Sequence, residues 1–397
     1  MPAPEKNKPT SIGGTCRPTP SQESLLRACF LPGEASAAQA LESWRRRIDP
    51  AHLDDFSRRV LPLLTCRWSQ RQPPIDQEIK ELASRVHLAQ WEQNRRRIGV
   101  AADLQARLAA AGIECAFLKG IALLSRFYGD SGLRGMGDVD LLVHRNDVAR
   151  AANTLLRHGW CAEENLPAEE IGKQTGVRHA WQFSRADGEI CDLHWHPVVR
   201  CFNPQIAERF WNGLEPASVG SHPMRVPCAT DQLFHVCVHG VQWSWTPQIR
   251  WIADAMVILG SGEAVDWRRL YELGAAARMT VRLYAALDYL QRRLDAAVPD
   301  DVLHQLAQHR PEGWERREHE LLQKPCPLGM IDSVRWHTSN FRRIRPYEPA
   351  WSKQLHWIGF QDYLRVFLRS GKSGSLLSSL AAEFRNRTRR DGPGTKS

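Results

Sequence analysis

The sequence lacks the features that mark membrane-spanning, secreted and disulfide-rich proteins. No stretch approaches the roughly 18 uninterrupted apolar residues of a spanning helix. The ten cysteines are scattered without a C-x-x-C pair, so buried, reduced thiols are the simplest account of them. The first twenty residues are polar and proline-containing and have no apolar signal core. We therefore expect a cytoplasmic protein without a membrane span, with a disordered leader over residues 1–20.

Negative charge is in the minority. The chain has 53 lysines and arginines against 44 acidic residues, a formal net charge of +9, which favours anionic partners such as nucleotides. Part of the excess lies in a segment rich in arginine, glycine and lysine, for which we expect a basic flexible tail over residues 381–397. No aromatic residues alternate with these basic residues to stack on bases, so nucleic-acid binding is not supported.

The hydrophobic pattern divides the 397-residue chain into three regions. Residues 21–112 have the three-to-four spacing of amphipathic helices, ending at Gly112. Residues 113–227 alternate short apolar runs with helical patterns, and an Asp187-Gly188 turn joins two strand-like segments. Residues 228–380 read as helical again, and no internal repeat is present. This order predicts an α+β fold in which N-terminal and C-terminal helical regions frame a small α/β core.

Two aspartates stand at the start of an apolar strand, in the stretch LRGMGDVDLLV. Alternate residues of a strand face the same side, so Asp138 and Asp140 are expected to point together. Two neighbouring carboxylates repel each other unless a cation or a proton lies between them. A structural cap would explain one aspartate, but the pair after a glycine-rich loop favours a magnesium site.

A third acid occurs in a similar setting, in the stretch GEICDLHWH. Asp192, His194 and His196 alternate along a predicted strand that follows the hairpin turn, so Asp192 is expected to lie beside the aspartate pair. An edge strand with its polar face in solvent would show the same pattern. A zinc site formed by His194 and His196 with Asp192 is the second metal alternative.

These motifs together resemble the uncharacterised nucleotidyltransferase-like family of bacteria, within the polymerase-β-type nucleotidyltransferase superfamily. The resemblance consists of LKG-x-A-L, R-x-x-x-D-x-D-L-L-V, a helix ending in HGW, and D-L-H-W. The segments DQLFHVCVHG and RWIADAMVIL are similar to the helical C-terminal region of that family. In total the resemblance covers about residues 113 to 260 and implies a small mixed sheet with helices packed against it.

The resemblance also implies a site and a reaction. The D-x-D strand and a third acid of the superfamily bind two Mg²⁺ ions, which assigns Asp138, Asp140 and Asp192 as catalytic residues and metal ligands, with Mn²⁺ as a substitute ion. A Gly-Ser turn of the superfamily holds the triphosphate, and this chain has Lys119 and Gly120 there instead. The implied reaction transfers an NMP from an NTP, foremost ATP, to an acceptor, with release of pyrophosphate.

The residue chemistry beside these acids is consistent with phosphate binding. Lys119 could place its ammonium on the β- and γ-phosphates, and Gly120 would let the backbone approach them at a helix N-terminus. Arg134, in the glycine-rich loop, could neutralise the leaving pyrophosphate. His194 is assigned with them to nucleotide binding. His235 and His239 are interpreted as part of a core helix lining the cleft, and surface charges at a loop edge remain the alternative for Lys119 and Arg134.

Three functions remain open on these residues. The first is an Mg²⁺-dependent nucleotidyltransferase whose acceptor is a small molecule, a natural-product or polysaccharide precursor, or a protein. The second is a catalytically inactive protein that keeps the fold and binds a nucleotide or a partner, which the substituted Gly-Ser turn favours. The third is an RNA-directed enzyme, for which the sequence contains no recognisable RNA-binding module.

Overall fold

The computed structural model describes residues 16–71, 73–241, 249–324, 330–352, 354 and 356–368. The predicted leader up to residue 15 and the predicted basic tail over residues 381–397 lie outside the described residues. Among the described helices, none combines the length and the apolar character that crossing a membrane would require.

Helices form both ends of the described chain and most of its mass. In chain order they are α1 (Pro20–Phe30), α2 (Glu34–Arg45), α3 (Asp55–Arg67), α4 (Gln77–Ala110), α5 (Lys119–Arg126), α6 (Val148–Arg157), α7 (Ala168–Lys173), α8 (Pro204–Asn212), α9 (Ala229–Gly240), α10 (Arg250–Leu259), α11 (Trp267–Ala276), α12 (Thr280–Leu294), α13 (Asp300–Gln308), α14 (Gly313–Leu322), α15 (Met330–Ile344), α16 (Pro349–Ser352) and α17 (His356–Leu368).

The strands form one mixed sheet and one separate hairpin. The sheet contains β1 (Cys115–Phe117), β2 (Val139–Val143), β3 (Trp160–Ala162), β4 (Ala180–Arg185) and β5 (Ile190–His194), in the spatial order β1-β2-β5-β4-β3. β2 and β5 are parallel, and the other neighbours in the sheet are antiparallel. The hairpin pairs β6 (Leu214–Val219) with β7 (His222–Pro227). The predicted α+β class with a small mixed sheet is confirmed.

Two turn predictions agree with the structure. The Asp187-Gly188 turn joins β4 to β5, and Gly188 has a φ of 85°, a left-handed conformation that glycine adopts without the steric cost of a Cβ. Helix α4 ends just before Gly112, whose φ is 65°. The β6–β7 hairpin was not predicted, because its sequence, LEPASV and HPMRVP, contains three prolines and little apolar alternation.

The predicted helical run over residues 266–294 is broken in the middle. Arg278 has a φ of 55°, so the chain leaves the helical conformation between α11 and α12. The backbone N–H of Met279 donates to the carbonyl of Gly274 at 2.8 Å, which closes the end of α11. Periodicity alone could not show this break, because the apolar spacing continues across it.

The central strand β2 is buried along its whole length. Val139, Leu141 and Val143 are fully buried in the main hydrophobic core, on the face of the sheet opposite Asp140. Burial of each such side chain contributes about 1.5–3 kcal/mol to the free energy of unfolding. This packing holds the strand that carries the aspartates in one register, since a one-residue slip would place Asp140 in the core.

A second buried feature joins the C-terminal helices. The carboxylate of Glu318, on α14, accepts hydrogen bonds from Arg200 at 2.6 Å and Arg282 at 2.9 Å. The guanidinium of Arg343, on α15, donates to the same carboxylate at 2.9 Å. The arginines hold the pKa of Glu318 well below its usual range, although burial alone would raise it. This cluster fixes α12, α14 and α15 against one another.

Candidate functional site

The parallel pair β2 and β5 brings two acids side by side. In its register Asp140 is opposite Asp192, and Leu142 is opposite His194. Directly paired residues on neighbouring strands point to the same face of the sheet, so both carboxylates project from the face opposite the main core. The predicted placement of Asp192 beside the aspartate pair agrees with this register.

The acids carry negative charge that the fold does not fully neutralise. Asp138 lies one residue before β2, and the charge of Asp140, together with burial, raises its pKa. Burial raises the pKa of Asp192 to about 7, and the charges of Asp140 and Asp138 act in the same direction. Raised pKa values of neighbouring carboxyls show that the position favours an added positive charge, whether a proton or a cation.

Lys119 supplies one such charge. Its Nζ donates to Asp140 Oδ1 at 2.5 Å, while the side chains of Lys119 and Asp140 are 23% and 1% exposed. Burial would lower the pKa of Lys119, but the carboxylates of Asp140, Asp138 and Asp192 together hold it above its ordinary value. Lys119 is therefore charged at neutral pH.

The backbone at Lys119 is unusual. Lys119 begins α5 directly after β1, and its φ is 47°, in the left-handed region. For a residue with a Cβ this conformation costs about 1–2 kcal/mol, and it persists only where the surrounding structure requires it. The strand-to-helix turn thus directs a strained lysine to the aspartates.

His194 contacts the same oxygen of Asp140. Its Nε2 lies 2.9 Å from Asp140 Oδ1, and both side chains are 1% exposed. Burial, with the nearby charge of Lys119, holds the pKa of His194 well below its usual range, so the ring is neutral. Because a carboxylate only accepts, Nε2 carries the proton and donates it to Asp140. Among the described residues, Nδ1 of His194 has no hydrogen-bond partner.

His196 does not join this group. β5 ends at His194, and the ring of His196 turns away to contact the carbonyl of Thr175 at 3.3 Å and the edge of Phe202. The expectation that Asp192, His194 and His196 share one face is therefore wrong for His196, because the strand ends before it. The zinc alternative that needed both histidines loses one ligand.

One set of donor atoms could hold a metal ion. Atoms of Asp140, Asp192 and His194 all lie within 4.8 Å of one another. This set differs from the predicted trio in having His194 in the place of Asp138. The carboxylates of Asp140 and Asp192, with that of Asp138 nearby, suit Mg²⁺ or Mn²⁺. The raised pKa values of Asp138 and Asp192 agree with a position that a divalent cation would stabilise. The residues present therefore fit a divalent ion.

Helix α9 covers the acids with histidines. His235 is 5% exposed, and burial lowers its pKa to about 3, with the charge of Lys119 acting in the same direction. His239 lies one turn further along, with its ring 5.6 Å from that of His235. A third ring, that of His179, lies 5.6 Å from the ring of His194 and was not predicted as part of the site. Burial likewise holds the pKa values of His179 and His239 well below the usual range, so these rings are neutral.

Arg134 makes a buried ion pair. Its Nε and Nη2 donate to the two carboxylate oxygens of Asp254, on α10, at 2.7 and 2.9 Å. Tyr128 donates to the same carboxylate at 2.8 Å. The remaining nitrogen, Nη1, has no hydrogen-bond partner among the described residues, and it would be 3.3 Å from a Cβ on Gly120. The unpaired N–H group therefore faces the turn that begins α5.

Side chains of α4 hold the loop that leads to the aspartates. Asn94 donates to the carbonyls of Ser131 at 2.6 Å and Arg134 at 2.7 Å, and accepts from the N–H of Met136. Arg97 donates to the carbonyl of Met136. Sequence reasoning missed both residues, because nothing in the pattern of an amphipathic helix shows which polar residues face inward.

The glycines of this loop allow close packing. A Cβ on Gly132 would be 2.3 Å from the His87 ring, and a Cβ on Gly135 would be 3.1 Å from the side-chain oxygen of Gln90. Both neighbours belong to α4. These glycines therefore allow α4 to pack closely against the loop.

Comparisons with known proteins give a family and a distant structural likeness. Residues 56–295 match the family model described as "Uncharacterised nucleotidyltransferase", a range that includes α4 and all the site residues above. No protein of curated function matches the sequence. A crystal structure of an antigenic nucleotidyltransferase-like protein from Paracoccidioides brasiliensis is 17% identical, with a TM-score of 0.34 over 52% of this chain and 96% of that one. A likeness at that TM-score does not establish a shared fold.

Proposed function

This chain belongs to the uncharacterised nucleotidyltransferase family, and on that premise we propose that it transfers an NMP from an NTP to an acceptor and releases pyrophosphate. The observation that carries the proposal is the pairing of Asp140 with Asp192 across β2 and β5, beside Asp138 and facing Lys119. A protein that only needed a stable sheet would gain nothing from three convergent carboxylates, two of which have raised pKa values.

The proposed reaction forms one bond and breaks one. An acceptor oxygen or nitrogen attacks the α-phosphorus, the bond from that phosphorus to the bridging oxygen breaks, and pyrophosphate leaves with the bonding electron pair. The acceptor gives up a proton. Asp138, Asp140 and Asp192 would hold divalent metal, Mg²⁺ or Mn²⁺, which when bound stabilises negative charge on the attacking and leaving oxygens. The ionisation of Asp192, with a pKa of about 7, then controls how readily the acids accept a cation.

The phosphates are proposed to lie at the turn that begins α5. Lys119 brings an ammonium to this position. A Cβ on Gly120 would lie 2.7 Å from the Met136 side chain, so the glycine allows Met136 to pack closely against the turn. The free N–H groups of a helix N-terminus favour an anion. The unpaired Nη1 of Arg134 faces the same turn and could donate to the leaving pyrophosphate, while its other nitrogens hold Asp254.

His194 is proposed as a positioning residue. It is buried and donates to Asp140, so its geometry favours holding that carboxylate over the direct nucleotide contact predicted from the sequence. We assign ATP as the foremost NTP, without a feature of the site that selects the base. The acceptor stays open among small molecules, precursors of natural products or polysaccharides, and proteins. The described cysteines are all free thiols, which supports the cytoplasm as the location.

A second function is favoured by one contact. Lys119 already neutralises Asp140, so the protein could bind a nucleotide without turnover. The two functions differ in whether covalent transfer occurs.

The test is transfer of labelled phosphate. Purified protein is incubated with ATP labelled at the α-phosphate, Mg²⁺ or Mn²⁺, and cell extract, and a parallel reaction uses ATP labelled at the γ-phosphate. We expect labelled product from the α-label alone, together with pyrophosphate. Asp140→Asn and Asp192→Asn should abolish it, whereas Asp187→Asn, a change at an exposed turn, should not. Nucleotide binding without labelled product would favour the second function, and product from the γ-label would show a kinase.

A further inference from the structure

We infer that Lys119 takes the place of one of the two cations of two-metal phosphoryl chemistry, so that the site works with a single divalent ion. The inference rests on the proposed function and specifies which cations balance the negative charge of the acids. One divalent ion and the Lys119 ammonium would thus take the place of the two Mg²⁺ ions expected from the family resemblance.

The ammonium of Lys119 occupies one carboxylate oxygen of Asp140. Nζ of Lys119 is 2.5 Å from Asp140 Oδ1, and His194 donates to the same oxygen at 2.9 Å. A Mg²⁺ ion binds a carboxylate oxygen at about 2.0–2.1 Å, so it could not share this oxygen without displacing the ammonium. Asp140 therefore offers only its other oxygen to a metal.

The fold holds Lys119 in this position. The left-handed φ of 47° holds the residue at the strand-to-helix turn, and about three-quarters of its side chain is buried. A strained non-glycine residue persists where its surroundings determine its conformation, and such residues concentrate at functional sites. A lysine that only covered the surface would not need this backbone.

The charge of the three acids is balanced by Lys119 and one divalent ion. Asp138, Asp140 and Asp192 carry three negative charges when ionised, and each of them acts on Lys119. Lys119 neutralises one charge and a single divalent ion neutralises the other two. A second divalent ion would leave the cluster with excess positive charge before the substrate binds.

The chemistry of an ammonium suits this role. It presents three N–H donors from one point charge, and it can contact a carboxylate and a phosphate oxygen together. Lys119 would then stabilise charge on the transferred phosphate from one side while the divalent ion acts from the other. Using an ammonium in place of a metal ion requires no transfer of a proton or an electron.

The test counts ions. Full-length protein is equilibrated with Mn²⁺ and an ATP analogue with a methylene group between the α- and β-phosphates, which cannot react. Free ions and nucleotide are removed by gel filtration in Mn²⁺-free buffer, and bound Mn²⁺ and nucleotide are measured. We expect one Mn²⁺ per bound nucleotide for the wild type and for Lys119→Arg, and two for Lys119→Met. Circular dichroism and melting curves of each variant control for folding.

Two Mn²⁺ ions per nucleotide on the wild-type protein would overturn the inference, and that measurement needs no variant. A folded Lys119→Met protein that still holds one ion would overturn it as well. If the wild type holds one ion but the labelled-ATP reaction gives no product, the cation count stands and the proposed transfer activity fails. Bound nucleotide with no Mn²⁺ would contradict both.

Discussion

The side-chain oxygen of Asn94 accepts a 3.1 Å hydrogen bond from the backbone N–H of Met136, two residues before Asp138. Asn94 belongs to α4, a helix that the sequence places in a separate N-terminal region. Its amide also donates to two carbonyls of the same loop. Helix α4 therefore holds in place the loop that precedes the aspartates. The residues that match the family model include this helix.

Replacing Asn94 by alanine should destabilise the protein and loosen the loop. The change removes three hydrogen bonds and leaves buried backbone groups unpaired, which costs about 3 kcal/mol in the free energy of unfolding. Urea denaturation measures this loss. Glu92→Ala, at an exposed position of the same helix, is the matched control and should change stability by less than about 0.5 kcal/mol. Equal stability of the two variants would mean that solvent replaces the Asn94 contacts at no cost.

The two aspartates of the D-x-D motif should respond differently to replacement by asparagine. The sequence predicts that removing both charges leaves the metal-free protein as stable or more stable, because the pair repels. In the structure the charge of Asp140 is the main cause of the raised pKa of Asp138, whereas the Asp140 carboxylate pairs with Lys119 and His194. We expect Asp138→Asn to be neutral or stabilising and Asp140→Asn to cost about 2 kcal/mol, after allowance for the partial exposure of Lys119.

Thermal melting in the presence of a chelator tests this difference between the variants. If Asp140→Asn melts at or above the wild-type temperature, the Lys119–Asp140 pair contributes nothing to the metal-free protein. Both variants should also lose most of the stabilisation that Mg²⁺ and ATP give to the wild type, because a ligand stabilises only the state that binds it.

Asp192 should make stability depend on pH. Its pKa of about 7 in the folded protein lies above the roughly 3.9 of an unfolded chain, so the folded state keeps a proton that the unfolded state releases. Its contribution to stability is complete below about pH 4 and is lost as the pH rises through about 7. The histidines with lowered pKa values act in the opposite direction, so the informative quantity is the difference between Asp192→Asn and wild type.

That difference is measured by chemical denaturation without metal between about pH 4.5 and about pH 8, an interval that begins just above the unfolded-state pKa and extends past the folded-state pKa. The variant should gain stability relative to the wild type as the pH rises. A difference that stays constant with pH would show that Asp192 ionises as an ordinary exposed aspartate.

The Glu318 cluster provides a prediction away from the site. Glu318→Gln removes the carboxylate that pairs with Arg200, Arg282 and Arg343, so three buried guanidinium groups lose that counter-charge. We expect a loss of about 3–5 kcal/mol in the free energy of unfolding. Glu320→Gln, at an exposed position of the same helix, is the control. A small loss in Glu318→Gln would mean that cation–π contacts, such as that of Arg200 with Trp336, hold the arginines instead.

The sequence was sufficient for features that local patterns encode. Alternation along β2 and β5 and the Asp-Gly turn gave the strands, and with them the position of Asp192 beside Asp140. Contacts between distant segments were not predictable in this way. Nothing in the local pattern shows that Arg134 pairs with Asp254, that Asn94 faces the loop, or that Lys119 adopts a left-handed backbone. These contacts depend on how α4 packs against the sheet and the loop before β2, and on how α10 packs against α9, which one sequence does not encode locally.

The parallel pairing of β2 with β5 also has a consequence for the order of folding. The chain passes through α6, β3, α7 and β4 before β5 can lie beside β2, so Asp140 and Asp192 become neighbours only through a contact between distant segments. Such contacts form late, because the loop they close is long. The repulsion between the acids then arises after the main folding barrier, so relieving it with Asp192→Asn should slow unfolding and leave the refolding rate almost unchanged. The two arms of a stopped-flow chevron would separate these effects, and the cluster of acids would be the last part of the core to assemble and the first to come apart.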